Sequence, residues 1–223
     1  MGIISLEKAD HLYWLGRYTE RVFTTLDTFF KYYDTMIDMD DLAYEKYCAC
    51  ISIPNIYKDK DDFINSYAFS AENPDSIYSN MTRALDNAIV LRDELGSATL
   101  SYLQMALERI EKASTSRTIL YHMQTVLDML YAFWGCLDDK VVDEESRNII
   151  KVGKYVERLD LYMRLDYSYK AIEKEYTKLL KRMPRVHRGL NMIQMDRLGE
   201  IVSMGDAWTE KRSDALDALG KVF

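Results

Sequence analysis

Apolar residues recur at every third or fourth position over long stretches of this chain, and nowhere do they alternate strictly with polar ones. From Ser5 to about Asp38 the positions Leu12, Leu15, Val22, Phe23, Leu26, Phe30, Tyr33 and Ile37 form one stripe at helical spacing. Ser5 reads as its N-cap, with Glu7 in the first turn where a carboxylate favours the helix dipole. Shorter helices are predicted over Leu42–Ile51, stopping before Pro54, and over Phe63–Phe69, with the polar segment Asn55–Asp62 between them. Asn73-Pro74-Asp75-Ser76 reads as a capping Asn followed by a Pro preset for the first turn. The helix behind it is predicted to reach Leu95, where Gly96-Ser97 breaks or bends it, and another covers Ala98–Ala113. Ser114-Thr115-Ser116 is a polar turn before a helix over Ile119–Leu137, and Asp138-Asp139-Lys140 is the next connection. Asp143, Glu144 and Glu145 then load the start of a long helix to about Arg182, ended by Pro184, and one or two further helices finish the chain. The predicted fold class is all-α, a multi-helix bundle with two long central helices.

Those two helices carry related segments. Leu12–Phe30 reads LYWLGRYTERVFTTLDTFF and Ile149–Tyr167 reads IIKVGKYVERLDLYMRLDY, 137 positions later. Gly16, Tyr18, Glu20 and Arg21 match Gly153, Tyr155, Glu157 and Arg158, while Arg17 becomes Lys154. Apolar positions align around them: Leu12 with Ile149, Leu15 with Val152, Val22 with Leu159, Leu26 with Met163. A partial internal duplication is therefore expected, in one domain with repeat-like halves over about 5–113 and 117–223.

Composition narrows the function classes. Of 223 residues, 29 are Lys or Arg and 36 are Asp or Glu, a net charge of −7. That is the wrong sign for a general nucleic-acid binder, which needs a basic footprint. A hydrophobic content of 48% argues against disorder, and only 9 Gly and 3 Pro suit long helices. Cys48, Cys50 and Cys136 make neither a disulfide framework nor a CxxC pair, so free thiols in a reducing compartment are expected. The opening MGIISLEKADH lacks a basic segment followed by an apolar one. No stretch approaches the roughly 20 uninterrupted apolar residues of a membrane helix. The expectation is a cytoplasmic protein with no nucleic-acid or membrane partner. Asn80-Met81-Thr82 fits the glycosylation acceptor pattern, which reads as accidental in such a chain.

Gly16 lies at the edge of the main stripe. A Gly inside a helix costs about 1 kcal/mol against Ala, which close approach by a second helix would explain. Glu20 flanks that contact beside Tyr13 and Asp27. Arg21 is placed on nearly the opposite side, in an aromatic-polar seam with Trp14, Tyr18, Thr25 and Tyr32. Around Glu157 the flank is more apolar (Ile150, Leu161, Leu165), so Glu157 is expected to be less exposed than an ordinary helical Glu. Two readings of the repeated Glu-Arg pairs follow. Each charge satisfies a partner across the bundle and fixes helix register; or the pairs line a polar pocket between the repeats, where guanidinium forks hold a carboxylate or phosphate. The repeat predicts that Glu20 meets Arg158 and Glu157 meets Arg21. No base or nucleophile stands beside either Glu, so no catalytic residue is assigned. His11, His122 and His187 supply no Glu-x-x-His unit for a di-iron bundle, and no metal or cofactor is expected. Dinucleotide, NTP, acyl-transfer and zincin motifs are missing from the sequence. The basic run Lys178–Arg188 reads as a solvated helix end, and the 17 Tyr and 12 Met, at helical spacing, as core.

YWLGRYTER, NPDSI, ALDNAIVLRDELGS and VGKYVERLD occur here in that order. As an ordered set over about residues 5–168 they resemble the bacterial alpha-E domain proteins, helical proteins named for a Glu-Arg motif. The matching positions are Tyr13, Trp14, Gly16, Arg17, Tyr18, Glu20 and Arg21; then Asn73, Pro74, Ser76, Ile77, Asn87, Ala88, Arg92 and Asp93; then Gly153, Glu157, Arg158 and Asp160. Leu85 and Ile89 stand where that family usually has Arg, Lys154 replaces the second motif's Arg, and the chain is shorter than family members usually are. From these positions the pocket reading draws its polar, anion-holding set: Tyr13, Arg17, Glu20, Arg21, Asn87, Arg92, Glu157 and Arg158. The resemblance implies no established reaction. It implies a setting beside, or fused to, ATP-grasp ligases and sometimes transglutaminase-like proteins. The leading expectation is a non-catalytic partner or accessory subunit of an ATP-grasp-type amide or peptide ligase, with ATP and Mg²⁺ belonging to the partner. The alternatives are a small-molecule-binding or catalytic subunit using the Glu/Arg-lined pocket, and a self-associating helical scaffold, a homo-oligomer.

Overall fold

The structure, a computed structural model, describes residues 4–38 and 42–223. Among them lie ten α-helices and no strand: α1 (Leu6–Asp38), α2 (Ala43–Ile51), α3 (Lys60–Phe69), α4 (Ile77–Val90), α5 (Arg92–Ser114), α6 (Ile119–Lys140), α7 (Glu144–Arg164), α8 (Tyr169–Leu180), α9 (Met192–Val202) and α10 (Arg212–Leu219). Short 3-10 turns at Met183–Arg185 and Gly205–Lys211 flank α9. The all-α expectation holds.

Helix α1 is the spine. Leu12, Leu15, Val22 and Leu26 of its stripe are fully buried, joined by Phe29; the side chain of Ile37 lies outside the described residues. It packs most extensively against α7 and next against α4, while α5 and α6 pair with each other. Lys8 and Ser146 both reach Glu94 at one end, while Glu20 meets Arg158 further along, so α1 and α7 run in the same sense. The short helices α2 and α3 add an aromatic cluster: Phe63 and Tyr67 pack on Phe29 of α1, Tyr44 on Phe63 and Tyr47 on Tyr67, with the Tyr47 and Tyr67 hydroxyls 2.8 Å apart.

Several boundaries differ from expectation for local physical reasons. The cap of α4 is Ser76, not Asn73: Ser76 Oγ accepts from the Ser79 N–H at 2.9 Å, while Asn73 Oδ1 accepts from the Asp75 N–H and shapes the turn before it. The next bend comes early, at Leu91, and Gly96 (φ +70°) adds a second kink inside α5. Asp59 caps α3, so that helix starts in the segment expected to be loop. Asp138-Asp139-Lys140 is helix rather than connection, and Asp138 pairs with Lys151 of α7. The predicted long helix to Arg182 is two helices. It breaks at Leu165–Ser168, where Asp166 adopts φ +54°, a conformation Asp tolerates better than most residues. The cysteines are free, Cys48 buried and the other two half-buried. Asn80 is buried with its Nδ2 bonded to the Asp75 and Ser76 carbonyls, so it is unavailable for glycosylation. The basic run after α8 folds back on the acidic start of α7, with Arg185 on Glu144 at 2.9 Å. Among the described residues no helix is long and apolar enough to cross a membrane.

Candidate functional site

The two repeated segments meet face to face through their glycines. A methyl group built on Gly16 would run into the Ile150 carbonyl and come within 3.0 Å of Lys154 N; one built on Gly153 would run into the Tyr13 carbonyl and come within 3.2 Å of Arg17 N. Ile150 and Tyr13 each lie three residues before the glycine of their own copy, so the contact repeats across an approximate two-fold relation. Only glycine lets the backbones approach this closely.

One turn further, the charges interlock in the way the repeat predicts. Arg158 Nε donates to Glu20 Oε1 at 2.6 Å, and Arg21 Nε donates to Glu157 Oε1 at 2.5 Å. Arg17 adds a third bond, Nε to Glu157 Oε2 at 2.6 Å. Both glutamates are fully buried, more so than the expectation for Glu157 alone. Burial pushes the Glu157 carboxyl up, but Arg17 and Arg21 together outweigh it and hold its pKa below the usual value. Arg17 also sits over the Trp14 ring at 5.2 Å. Tyr13, buried and with its pKa raised chiefly by that burial, stacks on Phe223 at 4.3 Å. The seam assigned to Arg21 is thus not a separate side of the helix: its guanidinium turns to α7 and shares Glu157 with Arg17.

The two half-sites are unequal because Lys154 stands where the first copy has Arg17. A lysine cannot fork a carboxylate as a guanidinium does. Its Nζ lies 3.8 Å from the centroid of the Trp134 ring, and burial lowers its pKa to about 8. Glu20 is left with Arg158 and the Thr24 hydroxyl on Oε1, while its Oε2 is buried without a partner, as is the indole N–H of Trp134. Arg158 reaches on to Glu175, which also holds Lys178 at 2.7 Å, closing this half-site with charge.

The Glu157 half-site is open. A cavity of about 320 Å³ lies against it, lined by Arg17, Arg21 and Thr25 of α1, Ile51–Ile53 at the end of α2, Tyr67 of α3, Asp75 and Asn80 at the head of α4, Glu157, Asp160, Leu161 and Arg164 of α7, and Leu216 and Gly220 from the last helix and the residue after it. Arg164 forks Asp160, with Nε to Oδ2 at 2.6 Å, and donates from Nη1 to Ser52 Oγ at 2.8 Å. Of the eight sequence-derived candidates only Arg17, Arg21 and Glu157 line this cavity; Tyr13, Glu20 and Arg158 belong to the buried contact between the repeats, and Asn87 and Arg92 fall elsewhere. Asn87 is half-buried and bonds His11 of α1 at 2.8 Å, and Arg92 is exposed beside a shallow groove lined by Leu85, Ile89 and Leu100. Both sit near the α4–α5 bend at Leu91, at the opposite end of α4 from Asp75 and Asn80. Nothing in the sequence pattern singles out Arg164, Asp75, Asn80 or Ser52 for the site. The repeat gives no hint of Arg164, whose counterpart in the first copy is Asp27; only its spacing of four from Asp160 marks it. Among the described residues, no three His, Cys, Asp or Glu side chains converge to hold a metal ion.

Residues 7–199 match the family described as "a predicted alpha-helical domain with a conserved ER motif". The match runs past the ordered motifs, through α8 and most of α9. No curated protein and no solved structure matches the chain. The chain belongs to the alpha-E family.

Proposed function

We propose that this alpha-E protein is a non-catalytic accessory subunit of an ATP-grasp-type amide or peptide ligase system, lending a rigid helical body to a ligase that carries the ATP chemistry itself. The observation that supports the reading is where the motif's charges go. Glu20, Arg21, Glu157 and Arg158 each spend their charge on the opposite helix, so the motif ties α1 to α7 rather than facing a reacting bond. A carboxyl held ionised by two guanidiniums is a poor proton donor near neutral pH. The partner class comes from the family likeness. The test is co-expression with an ATP-grasp ligase encoded beside this chain's gene. Co-elution in fixed proportion, with amide formation falling when this chain is left out, is the expected result; separate elution with an unaltered ligase rate refutes it.

A second reading is favoured by the cavity beside Glu157. Arg17 and Arg21 use only Nε on Glu157, and both line a space that solvent reaches. On this reading the cleft between the repeats binds a small polar molecule.

A further inference from the structure

The charge pattern of that cleft says more about what it takes, provided the cleft is a binding site. Its lining is balanced, with Arg17, Arg21 and Arg164 against Asp75, Glu157 and Asp160. A site built for phosphate or another polyanion needs a surplus of cationic donors. Most of these charges are also committed to one another: Glu157 to Arg17 and Arg21, Asp160 to Arg164.

The donor left most open is the outer edge of Arg21: its side chain is 34% exposed against 9% for Arg17, and both are engaged on Glu157 only through Nε. Two acceptors remain as well. One acceptor is Asp75, half-buried and without an ion pair among the described residues. The other is Asn80, 3% exposed, whose Oδ1 has no partner. Its Nδ2 faces two carbonyl oxygens, at 2.8 Å and 3.3 Å, so the amide orientation is fixed and Oδ1 is the atom left over. Buried acceptors in native proteins are almost always satisfied, and Asn80 both carries an orphan acceptor and belongs to the cavity lining. A volume of about 320 Å³ is at the small end of the roughly 300–1,000 Å³ typical of ligand pockets.

We infer that this cleft binds a small zwitterion of the α-amino acid type, its carboxylate on Arg21 and its ammonium between Asp75 and Asn80 Oδ1. Both ends are needed. A carboxylate alone leaves the orphan acceptor unmet, and an amine alone leaves the guanidinium edge unmet.

The test is isothermal titration calorimetry of the full chain with individual L-amino acids, their N-acetyl and methyl-ester derivatives, and inorganic phosphate. At least one free amino acid is expected to bind. Its N-acetyl and ester forms should bind about 10- to 100-fold more weakly, the loss of one charge-assisted hydrogen bond. Arg21→Gln and Asp75→Asn should each weaken the parent by a similar factor. Both variants should stay folded, since Arg17 still holds Glu157 and, among the described residues, Asp75 pairs with no cation. Derivatives that bind as tightly as the parent, variants that bind as tightly as wild type, or binding of phosphate alone would overturn the zwitterion assignment and leave the cleft a binding site. No binding by any of these probes would overturn both.

Discussion

Replacing Gly16 by Ala probes the helix crossing at its tightest point. The added methyl would overlap the Ile150 carbonyl oxygen and sit 2.9 Å from its carbon. Carbon atoms in ordinary contact lie about 3.5–4.0 Å apart, so α1 and α7 must part by roughly 1 Å. The obstacle is backbone in the middle of a helix, with no side chain to swing aside. Overpacking of this kind costs about 1–3 kcal/mol, and the rigid obstacle puts this case at the upper end. Alanine's better helix propensity returns about 1 kcal/mol, leaving a net loss of about 2 kcal/mol. For a chain of this size that lowers Tm by about 4–8 °C. Gly153→Ala should behave alike, because its methyl meets the Tyr13 carbonyl in the same way. Gly135→Ala is the control: it lies exposed within α6 with nothing within 4 Å of the new methyl, so it should stabilise slightly. Thermal and urea unfolding followed by circular dichroism at 222 nm measures all three. If Gly16→Ala melted at or above the wild-type temperature, the account of a glycine-mediated crossing would fail.

Two further outcomes follow from the buried charges. Glu157→Gln leaves two guanidiniums without their carboxylate. Breaking a buried pair costs about 3–5 kcal/mol, and the partial exposure of Arg21 favours the low end. Because the folded-state pKa of Glu157 is depressed, its contribution is complete above the unfolded carboxyl pKa and is lost as pH falls through the folded value. Acid unfolding should therefore be shallower in Glu157→Gln than in wild type, and parallel curves would contradict the pairing. Lys154 works in the other direction. With its folded pKa lowered to about 8, the unfolded chain binds more protons between about pH 8 and pH 10, so wild-type stability should rise across that window. Lys154→Met should remove the rise; an unchanged slope would mean that Lys154 stays solvated.

Much of this arrangement can be read from local sequence. The stripe of α1, the duplicated Gly-x-x-x-Glu-Arg segment and the reciprocal Glu–Arg pairing all depend on helical periodicity and on one repeat, which a single chain displays. What escapes is what depends on distant segments. Nothing in RLDYSY announces the break after Arg164, because Asp166 takes its left-handed conformation without a Gly or Pro to signal it. Asn73 and Ser76 both carry capping chemistry, and only the turn around Asn73 decides that Ser76 is the cap. The cavity is assembled from six elements far apart in sequence. The ordered motifs group Asn87 and Arg92 with it, yet they lie near the bend that Leu91 and Gly96 impose. Arg164 and Asn80 enter it unannounced, since each looks like an ordinary helical residue until α7 and α4 are placed together.

The central claim is that the Glu-Arg motif works between the repeats and not within them. Double-mutant cycles on stability test it most directly, with Glu→Gln and Arg→Met changes made singly and together. The cross-repeat pairs Glu20–Arg158 and Glu157–Arg21 bond at 2.6 Å and 2.5 Å, and each should show a coupling of about 1–3 kcal/mol. The sequence neighbours Glu20–Arg21 and Glu157–Arg158 should show less than about 0.5 kcal/mol. Coupling that is larger between the neighbours than across the repeats would contradict the account.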